Sequence, residues 1–166
     1  MSQDLSRIAR NFDAVLAQAD GPMWVVTAVA GDQRAGCLVG FASQVSIEPR
    51  RFLVCVSKVN HTYRIAEAAR HLAVHLLGAD ATALAELFGA ETGSEIDKFE
   101  HCEWQQGPHR LPILAGAAGW FTGEIVQTSD FGDHVGFVLS PTAAEPATTT
   151  SLRFHAVADL TPGHPA

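Results

Sequence analysis

Asp133 and His134 stand side by side at the head of an apolar run, FGDHVGFVL, residues 131–139. A carboxylate next to an imidazole can either move a proton or hold the ring in one orientation. Gly132 permits a tight turn before the pair, and the apolar residues after it anchor that turn at the end of a core strand. His134 is thereby expected rigidly at the rim of a sheet. A second group, SKVNHTYR at 57–64, gathers Ser57, Lys58, Asn60, His61, Thr62 and Arg64 around a helix start. Free N–H groups and the helix dipole favour an anion there. The same residues fit a plainer arrangement, with Asn60 and Thr62 capping the helix and Lys58 and Arg64 solvated. In DKF, Lys98 and Phe99 are either binding residues or a surface loop with one anchoring aromatic.

Other reactive residue types carry less. His71 and His75 have the four-residue spacing of a helical zinc pair, but HLAVHLLG at 71–78 alternates like a strand. On a strand that spacing is roughly 13 Å, too far to share one metal. With no second ligand pair near His101 and Cys102, no metal site is expected, and isolated histidines at the surface or in a dimer contact are the better reading. Cys37, Cys55 and Cys102 are too few and scattered for a disulfide framework. Cys55, inside RFLVCV, reads as a small buried hydrophobe. Trp24, Trp104 and Trp120 read as packing residues. No Gly-x-Gly-x-x-Gly, P-loop or Gly-x-Ser-x-Gly motif occurs.

The elements that must position these residues follow from periodicity. Apolar residues at Leu5, Ile8, Phe12, Val15, Leu16 and Ala19 mark an amphipathic helix, ended by Asp-Gly-Pro at 20–22. Strands are expected at 23–31, 37–47, 51–57 and 71–78, with a short helix at 60–70 and a second at 81–91. Two long strands, 117–132 and 133–145, complete the core, and 146–151 is a linker or turn. The organisation expected is one domain, residues 1–166, with an N-terminal helix (1–20), a barrel (21–145) and a tail (146–166). Helices inserted among strands, without strict alternation, imply a mostly antiparallel barrel with accessory helices. The end of the tail, with His164, reads equally as a cover for a partner subunit's cleft or as a loose terminus.

With 166 residues, one domain can bury a sizeable core. A net charge of −7 argues against a nucleic-acid partner, which would need a basic face. No apolar run approaches the roughly 20 residues of a membrane span, and the first residues lack a signal peptide's apolar core, so a cytoplasmic protein is expected.

The order of the pieces is more specific than any one of them. The run from Gly36 to Leu77, followed by DKF and GDHVGFVL, resembles the flavin reductase-like family of FMN-binding split β-barrels. The likeness extends over roughly 23–145. VSIEPRR keeps Val45, Ser46 and Pro49 of the family's Ser-Val-Ser-x-x-Pro-Pro corner. The chain departs from the family at Leu38, Gly40, Phe41 and Gln44, where many members carry Thr and Ser, and at His75, where Asn is common.

The resemblance implies an NAD(P)H-dependent flavin reductase. FMN, with FAD as an alternative, would sit at the barrel rim, and NADH or NADPH would be the co-substrate. It implies backbone contacts to the flavin ring from Gly40, Phe41, Ala42 and Ser43. It implies a phosphate site at Ser57, Lys58, Asn60, His61 and Thr62, and Lys98 and Phe99 over the ring or ribityl chain. His134 would orient the nicotinamide, with Asp133 holding the imidazole or capping the turn. A homodimer and a monooxygenase partner are implied as well. Two rivals stay open at this point: another flavin- or deazaflavin-dependent oxidoreductase of the same fold, and a flavin-binding or purely structural dimer without turnover.

Overall fold

The computed structural model describes residues 2–90, 93 and 95–163. Helix α1 (Ser2–Leu16) leads into β1 (Trp24–Ala30) and β2 (Gln33–Val39). Then come β3 (Ala42–Ser46), β4 (Arg51–Ser57), α2 (His61–Ala68), β5 (His71–Leu76) and α3 (Thr82–Ala90). A small hairpin, β6 (Trp104–Gln106) with β7 (Pro112–Leu114), precedes the long β8 (Gly119–Asp130) and β9 (His134–Glu145). The expected long strand at 37–47 is broken at Gly40 and Phe41, and the small hairpin was not foreseen. No helix among the described residues is long and apolar enough to cross a membrane.

Seven strands form one antiparallel sheet in the order β2-β1-β5-β8-β9-β4-β3. β2 and β3 are at opposite ends of that sheet, yet only Gly40 and Phe41 separate them in the chain. Three peptide links span at most about 11 Å, so the two ends must meet and the sheet curls into a barrel. The Cys55 amide donates to the Phe41 carbonyl at 2.9 Å, which carries the β2–β3 ribbon onto β4. No ladder pairs β2 with β4, so the barrel stays open along a seam between them.

Val26, Val54, Val56, Leu72, Val74, Phe137 and Leu139 fill the interior, joined by Ile65 and Ala66 of α2. A second cluster on the outside of β1 packs Met23, Val25 and Leu77 beneath Ala85 and Phe88 of α3, Phe99 and the tail residues Leu152 and Val157. β1 is therefore buried on both faces, which explains its near-continuous apolar run, interrupted at Thr27, whose buried hydroxyl donates to the Pro112 carbonyl at 2.7 Å. The tail is not loose over its described part. Ser151 bridges Gly78, Arg153 bridges Pro22, and Leu152 is 2% exposed. His164 lies outside the described residues.

His75 corrects the reading of isolated surface histidines. It is fully buried: its Nδ1–H donates to the Val25 carbonyl at 2.9 Å, and Nε2 accepts the Leu114 amide at 3.2 Å. Burial depresses its pKa to about 4, so the ring is a neutral cross-brace between β1, β5 and β7. Periodicity had placed it on a strand but could not say that β7 would cover that face.

Candidate functional site

The seam is a cleft of about 150 Å³. Leu38, Gly40 and Phe41 form one wall, Cys55 and Ser57 the other, and His134 and Asn60 close its ends. Ladder register explains the gathering. Ser57 and His134 are direct partners across β4 and β9, so their side chains share a face. Phe41, 63% exposed, leans against the imidazole with ring centres 5.0 Å apart and planes tilted by 50°.

The corner that carries His134 is built by the β8–β9 turn. Gly132 has φ +131°, a region that side-chain-bearing residues rarely adopt. Its amide donates to Asp130 Oδ1 at 3.0 Å. Lys58 straps the turn to β4 twice, by Nζ to Asp130 Oδ2 at 2.7 Å and by its backbone amide to the Asp133 carbonyl at 2.9 Å. The Lys58 hydrogen bond, then that of Gly132, draws the Asp130 carboxyl below its ordinary pKa. His134 Nδ1 donates to Asp133 Oδ1 at 2.8 Å, and that bond lowers the Asp133 pKa. With Nδ1 committed to the acid, Nε2 is the ring nitrogen left for a ligand.

Ser57 Oγ is buried and has no hydrogen-bond partner among the described residues. A buried hydroxyl without a partner costs roughly 1–3 kcal/mol. Its place in the cleft wall fits a polar ligand atom that would satisfy it.

A larger cleft of about 350 Å³ continues from the seam and shares Leu38, Ser57 and Asn60 with it. Its far walls are Met23, Phe88 and Gly89 and the tail residues Val157, Ala158 and Leu160. Lys98 is one of its lining residues, 4% exposed, donating from Nζ to the carbonyls of Gly36 and Phe88 at 3.1 Å each. A third basin on the other side of Lys98 is bordered by Asp32, Glu95 and Asp97, with Arg34 and His61.

The structure thus brings Gly40, Phe41, Ser57, Asn60 and His134 together in the seam, with Lys98 next door. The other expected residues lie elsewhere. Ala42 and Ser43 are on β3, and the Ser43 hydroxyl donates to the Gln44 carbonyl. Lys58 is in the strap, outside the cleft walls. His61 borders the third basin. Thr62 is 1% exposed and hydrogen-bonded to the Cys37 thiol, which burial pushes up to about 11. Phe99 is a core residue, edge-on to Phe88 and Trp104. Asn60 caps α2 by accepting the Thr62 amide at 2.9 Å, so capping and cleft-lining fall to one side chain. Cys55, expected to be fully buried, is half-buried in the seam wall. Nothing in its sequence context marks the β4 face that the missing ladder partner leaves open. The tail's contribution was likewise missed, because its apolar residues lack strand or helix periodicity.

The chain matches the flavin reductase like domain over residues 16–155. It is 32% identical over 122 residues to the reductase subunit of stachydrine N-demethylase from Rhizobium meliloti (strain 1021), covering 71% of this chain and 52% of that protein. It is 30% identical over 119 residues to an FMN reductase (NADH) from Ancylobacter novellus, covering 72% and 65%. The chain therefore spans between half and two thirds of these curated relatives. Among solved structures, the NADH:FAD oxidoreductase of Streptomyces globisporus superposes with a TM-score of 0.73 at 27% identity, over 79% of this chain and 78% of that one. A flavin reductase domain protein from Arthrobacter sp. FB24 shares the fold, with a TM-score of 0.80 at 24% identity over 89% and 91%.

Proposed function

Because the chain belongs to the flavin reductase-like family, we propose that it is an NAD(P)H-dependent flavin reductase that takes FMN or FAD at the seam between β2 and β4. The observation that carries this reading is the buried, partnerless Ser57 Oγ between Asn60 and the Asp133-held His134. When bound, a flavin supplies a two-electron acceptor for the hydride of a reduced nicotinamide. Ser57 donates a hydrogen bond to the flavin, and the backbone at Gly40 and Phe41 lines its edge. His134 orients the nicotinamide through Nε2, so its contribution is geometry rather than proton transfer. Phe41, leaning on His134, forms the outer lip and keeps water from the contact.

A homodimer and a partner monooxygenase belong to the same proposal. The relatives named as reductase components of two-component systems support the partner. A cytoplasmic setting belongs to it too, consistent with the free thiols Cys37, Cys55 and Cys102.

The test is anaerobic stopped-flow mixing of flavin-loaded protein with NADH and with NADPH. Bleaching of the flavin absorbance is expected, and His134→Ala is expected to slow it about tenfold or more while flavin affinity holds. Equal rates in variant and wild type would reduce His134 to a turn residue. Bound flavin that neither nicotinamide bleaches would leave a flavin- or deazaflavin-dependent oxidoreductase of other specificity, or a flavin-storage dimer.

A further inference from the structure

The small β6–β7 hairpin covers the outer face of β5, onto which His71, Ala73 and His75 alternate. At one end of that row the His71 ring lies flat on the ring of His109, with centres 3.6 Å apart and planes inclined by 3°. In the middle, Ala73 packs against Leu111 and Ile113. At the other end, His75 Nε2 accepts the Leu114 amide at 3.2 Å. The loop that brings His109 to the stack is strained. His109 and Arg110 have φ +56° and +64°, a region uncommon for residues other than glycine. Such backbone persists only where its surroundings hold it, and the His71 ring is one of those holds.

Both histidine contacts need uncharged rings. His75 accepts through Nε2, which a proton would occupy. His71 and His109, stacked at 3.6 Å, repel each other once both are charged. The remaining charges at the stack come in opposite pairs, Arg70 with Glu124 at 3.3 Å and Arg110 with Asp32 at 3.8 Å, so they add little net field. Burial first, and His109 second, lower the His71 pKa, with Arg70 adding to the effect and Glu124 opposing it.

We propose that the β6–β7 hairpin is an acid-released flap, clasped onto β5 by the His71–His109 stack and by the His75–Leu114 hydrogen bond. In the released form the three rings take up protons at the ordinary histidine pKa of about 6.5. The closed form holds His75 at about 4 and admits one charge to the stack. The open form therefore binds more protons, so the clasp is complete above pH 6.5 and weakens as pH falls below it. The Thr27 hydroxyl, bonded to the Pro112 carbonyl at 2.7 Å, holds the flap without responding to pH. At the flap's base, Trp104 lies edge-on to Phe99, and its Nε1 donates to the Phe99 carbonyl at 3.0 Å. Phe99 follows Lys98, a lining residue of the larger cleft, so acid release loosens the packing behind that cleft.

Hydrogen exchange at the Leu114 amide, followed by NMR on the full chain between pH 7.5 and 5.5, reads the opening once the intrinsic pH dependence of exchange is removed. Opening in wild type is expected to rise about a hundredfold over that range, about tenfold for each of the two extra protons. It should be nearly insensitive to dilute urea, since local opening exposes little surface, whereas amides of β8 and β9 respond as global unfolding does. His71→Phe keeps an aromatic ring on a strand position but cannot charge, so the rise should shrink to about tenfold. His109→Asn also removes the charge and tolerates the positive φ. It should show the same shrunken rise from a flap already more open at pH 7.5. A rise of about a hundredfold in either variant overturns the clasp, as does a wild-type rise of tenfold or less. A wild-type Leu114 amide that follows β8 and β9 in urea overturns the flap itself.

Discussion

The Ser57 hydroxyl and the Lys58 ammonium are neighbours in sequence with opposite situations. Ser57 Oγ is buried with no hydrogen-bond partner among the described residues, whereas Lys58 already holds Asp130 at 2.7 Å. Ser57→Ala removes a partnerless polar atom, so it should leave the stability of the free protein unchanged or raise it by up to about 1 kcal/mol. Flavin affinity should fall by roughly tenfold, the worth of one hydrogen bond to a ligand. Denaturant midpoints and a flavin titration on the same sample read the two effects. A loss of both stability and affinity would mean that the hydroxyl serves the fold. Lys58→Ala is expected to weaken FMN more than riboflavin if the lysine reaches the phosphate past Asp130. Equal weakening of the two would assign it wholly to the strap that fixes the 130–134 turn. The sequence placed both residues near an anion site through the helix start at Asn60. It could not show which was engaged, because Asp130 is 72 residues away along the chain.

Single turns and strands decide whether the corner exists at all. Gly132→Ala meets no steric neighbour, so its cost is the backbone strain of φ +131°, about 1–3 kcal/mol. Unfolding midpoints should fall accordingly, and bound-flavin reduction by NADH should slow as His134 loses its fixed position. A variant that unfolds earlier yet reduces flavin at full speed would separate the turn from catalysis. The His75 brace gives a pH signature. Its folded pKa, about 4, is below the ordinary 6.5, so the unfolded chain takes up the proton first on acidification. The brace's contribution is therefore complete above pH 6.5 and is lost as pH falls from there toward 4, by roughly 2 kcal/mol at pH 5. Denaturation curves at pH 7 and 5 should show that loss in wild type and a smaller one in His75→Asn. Identical pH dependence in the two would mean that other groups set the acid limb. The strands that carry these residues were legible from alternation and β-branching, and α2 was legible with its Asn60 cap. The break at Gly40 and Phe41 was not, because a chain crossing from one end of a curled sheet to the other keeps the apolar rhythm of a single strand.

At the scale of the whole molecule, α1 is the element that the chain does not explain by itself. Leu5, Ile8, Phe12, Val15 and Leu16 repeat at helical spacing, and each is at least 50% exposed. The stripe was legible in the sequence, but its partner was not, since none of the described core residues covers it. Isolated helices of about 12–15 residues are marginal in water, and burying a large apolar side chain stabilises by roughly 1.5–3 kcal/mol. A partner surface is therefore what a 15-residue α1 needs to stay folded. The proposed homodimer would supply one, and the open edges of the barrel at β2 and β3 would give a second copy further surface to cover. The expected outcome is a dimer at micromolar concentration by sedimentation velocity, with helical circular dichroism that decreases on dilution as the dimer dissociates. Replacing Ile8 and Phe12 together by Glu should shift the protein to monomer while the sheet signal persists, because neither residue touches the barrel core. A wild-type protein that sediments as a monomer with undiminished helicity would show that α1 is stable alone and that the apolar stripe has another use.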